Sequence, residues 1–404
     1  MIDTVISKIE VKNLFKVFGK QQTKALELRK AGKSKSEVLK QTGSTIGIDN
    51  VNFTVRQGEM FVLMGLSGSG KSTILRCLNR LLKPTSGSVV IDGVDITKLE
   101  KKELREFRQK HMAMVFQQFA LLPHRTVLDN TLFGLEVQGK DRDQNIESAK
   151  KALEQVGLKG WENKYPHQLS GGMKQRVGLA RALCSNTDIL LMDEAFSALD
   201  PLIREEMQDL LLDLLADSDK TVIFITHDLN EALKIGDRVA FLKDGALIQV
   251  GTPEDIIENP ADDYIRKFIQ GVDLTRVLSA KDVMKKSSAH VRLTSGPAVA
   301  LETMKKHGIS SVFVVDKKMR YKGLLSVEQA IKLRDQKVQT LENVEFDASP
   351  VVDHNTPISE LLGLFATSSL PVAVINEENR LLGVIVRSSV LAALDQNEGG
   401  SDNV

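Results

Sequence analysis

Nine consecutive residues, Gly65, Leu66, Ser67, Gly68, Ser69, Gly70, Lys71, Ser72 and Thr73, have the types and spacing of a phosphate-binding turn. Gly65, Gly68 and Gly70 permit a tight passage from strand to helix in which exposed backbone N–H groups converge on phosphate oxygens. Lys71 adds a point positive charge, and Ser72 offers a hydroxyl to Mg²⁺. Side chains at the glycines would hold an anion away from those amides. The turn follows the apolar run Met60 to Met64 and precedes a helix expected over Thr73 to Leu82. That context separates it from an ordinary Gly/Ser loop.

Two more stretches carry compatible chemistry. Leu190 to Glu194 is an apolar strand ending in two acids, with Asp193 placed to hold the water shell of Mg²⁺ beside Ser72. Glu194 is then positioned to orient or deprotonate an attacking water. Paired acids at a strand end also cap helices, and Ser197 to Asp200 has turn chemistry, so a structural role stands beside the catalytic one. In LSGGMKQ, Leu169 to Gln175, the residues Ser170, Gly171 and Gly172 can form an anion-receptive turn opening a helix through Val177, Ala180 and Leu183. Taken alone, SGG is a common loop.

Delivering these groups requires strands. Ile6 to Phe15 alternates apolar and polar residues, with Phe18 and Gly19 closing it, and Phe18 can either stack on an adenine ring or pack in a core. Thr23 to Thr42 reads as two short helices broken at Gly32, a lysine-bearing insertion whose default is a solvated face. Strands are expected at Ile46 to Val55, Glu59 to Met64, Ser88 to Ile91, Met112 to Phe116, Asp188 to Met192 and Val222 to Ile225. The last leads into Thr226 and His227. Helices are expected at Glu103 to Lys110, Asn145 to Val156 and Asp262 to Phe268. Polar residues at the ends of apolar strands that alternate with helices mark an α/β domain whose ligands sit beyond the strand termini.

At 404 residues the chain is long enough for two or three domains, because single cores stop growing near roughly 250–300 residues. A formal net charge of +1 gives no global attraction to nucleic acid or lipid, so such a contact would need a local patch. Cys77 and Cys184 lack metal or disulfide-framework spacing and read as buried thiols of a reducing compartment. Neither a secretory signal nor a membrane-spanning run is recognisable, so any membrane role would need a partner that spans.

GLSGSGKST, Gln117 after MVF, LSGGMKQR, LLMDE, SALD at Ser197 to Asp200, and His227 after IFIT occur in the order found in the ATP-binding subunits of ABC transporters, which this chain resembles. The resemblance implies ATP and Mg²⁺ as cofactors, held in an ABC-type P-loop NTPase fold with a mixed sheet core and a helical subdomain. It implies a sandwich of two copies, with the phosphate loop and Asp193 of one facing Ser170 to Gly172 of the other. One face would supply Lys71 and the metal, the opposite face a hydroxyl and amides to the γ-phosphate. Gln117 would contact the metal and report to the membrane subunit, Glu194 would be the base, and His227 would touch the γ-phosphate. Asp200 would communicate between sites, and Phe18 would stack on adenine. Phe119 to Asn130 would line the groove for a transmembrane partner's coupling helix, packing inside the helical subdomain being the plain alternative.

Beyond Gly271 the organisation changes. Val312 to Arg320 repeats as Val372 to Arg380 at an offset of 60 residues, and Gly323-Leu324-Leu325 repeats as Gly383-Val384-Ile385. Each copy reads as helix, strand, hairpin, strand, helix, a unit that needs its mate to bury both faces. The pair resembles tandem cystathionine-β-synthase-type (CBS) modules, an α/β pair that in that family often binds adenine nucleotides. The Asp of the usual nucleotide signature is missing from Ser326 to Gln329 and from Val386 to Ser389, which leaves a nucleotide ligand, another ligand and a purely structural pair all open. Lys317, Lys318, Arg320 and Lys322 form a basic cluster that reads either as a solvated hairpin or as a contact for an anionic membrane surface.

The expected division is an ATPase domain over 1–270 with an insertion at about 22–45, a linker over 271–279, CBS modules over 280–338 and 339–396, and a disordered tail over 397–404. Insertion, ATPase and CBS pair together resemble the ATPase subunits of glycine betaine/proline-type importers. That implies osmoprotectant uptake regulated through the CBS pair, permease subunits, an extracytoplasmic substrate-binding protein or domain, and a peripheral place on the cytoplasmic face of the bacterial inner membrane. An importer for methionine, another amino acid or a related solute is the alternative. Nucleic acid is not expected as a substrate, since fused motor domains or long coiled arms are not evident.

Overall fold

The computed structural model describes residues 7–216, 218–270, 278–286, 289–368 and 370–395, divided between one unit that runs to Ile269 and another that begins at Gln270. In the first unit the chain runs β1 (Ser7–Phe18), α1 (Gln22–Lys30), α2 (Lys35–Thr42), β2 (Thr45–Arg56), β3 (Met60–Met64), α3 (Lys71–Leu78), β4 (Ser86–Ile91), β5 (Val94–Asp95), α4 (Lys101–His111) and β6 (Met112–Phe116). It continues through α5 (Val127–Val137), α6 (Arg142–Gln155), α7 (Gly171–Cys184), β7 (Ile189–Asp193), α8 (Pro201–Ala216), β8 (Thr221–Thr226), α9 (Leu229–Ile235), β9 (Arg238–Lys243), β10 (Ala246–Gly251), α10 (Pro253–Glu258) and α11 (Asp263–Ile269).

Two sheets form. The order β2-β1-β4-β5 is antiparallel, and β2 alternates buried and exposed residues as a half-solvated strand should. The order β10-β9-β3-β8-β7-β6 is parallel except for β10, and β3 and β8 are buried along their whole length. Burial on both faces explains why those strands are unbroken apolar runs. Ile74, Leu75 and Leu78 of α3 share one core with Ile9 and Ile48 of the first sheet and Leu63, Leu191 and Ile223 of the second. Burial of that helix between the sheets fixes where the turn before it points. Helices α5, α6 and α7 pack on one another as a separate helical layer.

Helix α3 ends four residues short of the expected Leu82. Arg80 is left-handed (φ 53°), its guanidinium donates to the carbonyls of Ile96 and Leu99, and the Leu82 N–H reaches back to the Arg76 carbonyl. That anchor turns the chain out of the helix. The insertion forms the two expected helices, with Ser34 and Glu37 making a reciprocal cap at the start of α2 and left-handed Gly43 closing it. Its face is not simply solvated, however. Ala25 and Val38 pack against Val17 and Ile46, and Arg29 and Lys35 both reach the carboxylate of Asp49.

The second unit runs α12 (Ala280–Val283), β11 (Lys285–Lys286), β12 (His290–Arg292), α13 (Pro297–His307), β13 (Ser311–Val315), β14 (Tyr321–Ser326) and α14 (Val327–Asp335). It then repeats as β15 (Val351–Asp353), α15 (Ile358–Thr367), β16 (Val372–Ile375), β17 (Leu381–Ile385) and α16 (Arg387–Asp395). The modules do not split cleanly in sequence. Strand β11 pairs with β17, and Ala280 and Val283 enter the core of the second module, although they precede the first. Reciprocally, Asp347 bridges to Leu324, and Leu341, Val344 and Phe346 cover the first module. Each copy's lead-in segment thus lies on its mate, which is why neither half-unit is complete alone.

The basic hairpin is also not free. Its backbone pairs with the second hairpin, Tyr321 N–H to Asn379 O at 2.9 Å and Leu381 N–H to Met319 O at 2.9 Å. Asp316 accepts the N–H groups of Arg320 and Lys318, which hold its carboxyl below the usual carboxylate range, and Lys322 lies 3.9 Å from the same carboxylate. The lipid-contact reading therefore applies only to outward side chains of a tied hairpin. The tail over 397–404 and linker residues 271–277 lie outside the described residues.

A Cβ added at Gly383 would lie 2.7 Å from Met284 Sδ and 2.9 Å from the Lys285 carbonyl. We expect Gly383→Ala to destabilise this unit by about 1–3 kcal/mol in chemical denaturation. Gly363→Ala, in helix α15 with no atom within 4 Å, should instead stabilise by about 0.5–1 kcal/mol. Equal effects would refute the exchanged-segment packing.

Candidate active site

Four strand ends of the parallel sheet converge. β3 delivers Gly65 to Gly70, β7 delivers Asp193 and Glu194, β8 delivers His227, and β6 delivers Gln117. The phosphate loop owes its shape to close approach: a Cβ at Gly65 would fall 2.2 Å from the Leu242 carbonyl, and one at Gly70 would fall 2.9 Å from the Gly47 carbonyl. Both residues have positive φ, so glycine is required on two counts.

Lys71 is only 4% exposed, and its ammonium donates to the carbonyls of Gly65 at 2.7 Å and Leu66 at 3.1 Å, with Glu194 Oε1 at 4.0 Å. Burial holds the ammonium below the usual lysine range, opposed by the nearby Glu194 and Asp193 carboxylates. Ser72 Oγ donates to Asp193 Oδ1 at 2.8 Å. Glu194 is left-handed (φ 48°), and its N–H is held by the Ile225 carbonyl of β8 at 3.1 Å. That pin aims its carboxylate between Lys71 and His227, whose Nδ1 lies 3.7 Å from Glu194 Oε2. Gln117 Nε2 donates to Ser197 Oγ at 3.0 Å, and Ser197 Oγ donates to the Glu194 carbonyl at 2.9 Å.

Ser72 and Asp193 are adjacent hard-oxygen ligands of the kind Mg²⁺ takes, with Gln117 on the neighbouring strand. Gly68 faces open space with φ 82°, and Ser69 Oγ is a buried hydroxyl with no partner among the described residues. A lysine held on loop carbonyls, an exposed loop surface at Ser67 and Gly68 and paired oxygen ligands together fit a magnesium–nucleotide polyphosphate.

Other expected residues make no side-chain contact with that cluster among the described hydrogen bonds and ion pairs. Ser67 is exposed, and Thr73 continues α3. Leu66 departs from expectation: its N–H donates to Tyr264 Oη at 3.3 Å instead of opening toward phosphate. Ser170 caps α7, its Oγ accepting the Met173 N–H, and is exposed with Gly171 at the helix start. Gly171 and Gly172 adjoin Leu199, Phe119 and Ile203, and none of the described hydrogen bonds joins them to the phosphate loop. Asp200 is exposed, and its carbonyl receives the Arg204 N–H. Phe18 ends β1 at 38% exposure, its ring over Gly47 and under the Lys16 ammonium, 5.3 Å from the ring centre.

Ser197 opens the SALD stretch, and its linking role is not expected from the motif; Arg181 and Asn130 carry no motif signal at all. Ser197 ties Gln117 to Glu194. Arg181 holds the carbonyls of left-handed Phe119 and Ala120, and buried Asn130 binds the carbonyls of Leu122, Arg125 and Thr126. Those two residues fasten the segment after Gln117 to the helical layer. Beside it, a cleft of about 350 Å³ opens between Phe116, Phe133, Val137 and Arg181.

Fold and site define a P-loop ATPase of the ABC type, followed by a paired α/β module. The chain belongs to the ABC transporter family: the ABC transporter model matches residues 48–197, and the CBS domain model matches 280–335 and 345–396. Within the family it is 51% identical to the glycine betaine transport ATP-binding protein OpuAA of Bacillus subtilis, over 98% of this chain and 94% of that protein. It is 48% identical to the glycine betaine/proline betaine transport system ATP-binding protein ProV of Salmonella typhimurium, over 98% and 99%. A solved dimeric ATP-binding cassette, MJ0796, in a post-hydrolysis state bound to ADP and Pi, is 34% identical with a TM-score of 0.51, covering 61% of this chain and 98% of that one.

An anion arriving beside Lys71 stabilises its charged form, so its lowered pKa rises back toward 10.5 on nucleotide binding. Binding should therefore take up protons at pH values between the lowered free-state pKa and that of the complex, and affinity should fall as pH climbs through that window. Calorimetry in buffers of different ionisation enthalpy measures this, and proton release attributable to Lys71 would contradict it.

Proposed function

We propose that this chain is the ATP-hydrolysing motor of a membrane importer for glycine betaine/proline-type solutes. The carrying observation is the convergence at the carboxyl ends of the parallel strands, where Ser72 meets Asp193, Lys71 and His227 approach Glu194, and Gln117 reaches the Glu194 backbone through Ser197. The substrate class is supported by near-full-length similarity to betaine-transport ATP-binding proteins.

In this reading Lys71 and the amides of Ser67, Gly68 and Gly70 to Thr73 bind the phosphates, the Ser69 N–H being held by the Leu66 carbonyl at 3.1 Å, and Phe18 stacks on adenine. Ser72, Asp193 and Gln117 would hold Mg²⁺, which neutralises charge on the phosphate oxygens. Glu194 takes the proton of the attacking water, and His227 orients the γ-phosphate from the other side of that carboxylate. Ser170, Gly171 and Gly172 come from a second copy, where the exposed start of α7 presents a hydroxyl and amides across the site. Asp200, exposed at the start of α8, lies at the seam between copies. Closure excludes water and completes the electrostatic set.

Separate permease subunits do the spanning and the motor works at their cytoplasmic face, a reading supported by the similarity to ATP-binding proteins of transport systems; among the described residues no helix is long and apolar enough to cross a membrane. The cleft bordered by Phe116, Phe133 and Arg181 receives their coupling segment. An extracytoplasmic binding protein or domain selects the solute. The CBS pair regulates the motor, a role supported by its cleft of about 590 Å³, whose lining includes Lys285, Lys286, His307 and Arg387 and suits an anionic ligand.

Glu194→Gln should bind ATP normally while turnover falls by roughly 10²–10⁴-fold, the usual worth of a positioned base. Normal hydrolysis by this variant would remove Glu194 from the role. Betaine uptake by vesicles containing this chain and its permease tests the substrate class, and uptake of methionine in its place would reassign it.

A further inference from the structure

The insertion α1–α2 is joined to the phosphate loop by a continuous set of contacts. Asp49 of β2 is 7% exposed, and both cations that neutralise it come from the insertion, one from each helix. Arg29 donates from Nε to Asp49 Oδ2 at 2.9 Å and Oδ1 at 3.1 Å, with Nη2 2.9 Å from Oδ2. Lys35 Nζ lies 3.4 Å from the same oxygen and also donates to the Asp244 carbonyl in the β9–β10 turn. The Asp49 N–H donates to the Gly245 carbonyl at 2.8 Å, and the Gly245 N–H donates to the Ser69 carbonyl at 2.9 Å. Ser69 belongs to the loop that must present its amides to phosphate.

The steric fit along this line is tight. Gly47, Gly70 and Gly245 meet backbone to backbone: a Cβ at Gly245 would fall 2.4 Å from the Gly47 carbonyl, and one at Gly70 would fall 2.9 Å from the same oxygen. Gly70 and Gly245 have positive φ, as does Asp244 at 50°. A displacement of β2 or of the 244–245 turn therefore cannot be absorbed by side-chain rearrangement and passes to Ser69 and Gly70. On the other side of the loop, Tyr264 Oη receives the Leu66 N–H. The loop is thus held at Leu66 by α11 and at Ser69 by a turn that the insertion grips.

We infer that the insertion is a clamp on the phosphate loop, with Arg29, Lys35 and Asp49 acting as positioning residues for nucleotide binding. The mechanism is preorganisation. A near-buried carboxylate left without its cations seeks water, β2 and the 244–245 turn lose their register, and the loop samples geometries whose amides no longer converge on one anion. None of the three is among the residues proposed to contact nucleotide, so binding should suffer while the hydrolytic step, set by Glu194, is spared. This inference rests on the proposed assignment of ATP to the phosphate loop.

The test uses the full-length chain, with ATP affinity measured at equilibrium and KM and kcat measured separately. The double variant Arg29→Gln/Lys35→Gln, and separately Asp49→Asn, should raise the ATP Kd and KM roughly five- to tenfold with kcat at saturation within about twofold. Lys35→Arg should restore wild-type affinity. Hydrogen exchange should quicken at residues 65–70 and 244–246 and stay unchanged in α5–α7. Unchanged KM, or a fall in kcat and active fraction at constant KM, would overturn the clamp by reducing the insertion to general support. Asp49→Asn keeps side-chain size and tests the same link if the double variant does not fold. Lys71→Ala serves as the control: loss of binding there with normal binding in the insertion variants sinks the clamp alone, whereas normal binding by Lys71→Ala sinks the ATP assignment beneath it.

Discussion

A lysine ammonium kept out of water at the tip of a fully buried strand is the constraint around which this ATPase unit is arranged. Loop carbonyls, the Glu194 carboxylate at 4.0 Å and the nearby Asp193 carboxylate offset the desolvation of Lys71. Those carbonyls point inward only because Gly65 and Gly70 adopt positive φ against neighbouring backbone. The packing of α3 between two sheets holds the loop in that geometry.

The acids beside it are arranged by a different device. Asp193 is the last residue of β7 and accepts the Ser72 hydroxyl, whereas Glu194 is turned back by its left-handed backbone and pinned to β8. Neighbouring residues thereby receive separate tasks, one facing the helix and one facing His227. Ser197 links that turn to Gln117, so movement of either strand end is felt at the other. Arg181 and Asn130 extend the linkage into the helical layer.

The second unit solves a stability problem by exchange. Each repeat is too thin to cover its own sheet, and the segments that cover it come from before the other copy. Pairing between the hairpins at Arg320 and Arg380, with Phe313, Leu324, Ala373 and Leu381 beneath, closes the seam. Apolar burial and backbone pairing thus act together, and a change at the lead-in segment is transmitted to the partner module.

Local chemistry was legible in the sequence wherever a residue type is almost dictated by what it must do. Glycines at a phosphate turn announce themselves, as does a repeat offset by 60 residues, whereas the acids at an apolar strand end and the serine before two glycines gained meaning only from their order beside that turn. Periodicity also located most strands and the two insertion helices. Only the tertiary structure decided what depends on partners distant in the chain. Helix α3 stopped early because Arg80 found carbonyls at Ile96 and Leu99, Leu66 gave its amide to Tyr264, and the CBS lead-in segments crossed to their mates. The insertion's lysine and arginine looked solvated until Asp49 was brought beneath them. Short-range pattern encodes conformation and chemical type, but the electrostatic and steric environment of a side chain is set by residues that folding alone brings within reach.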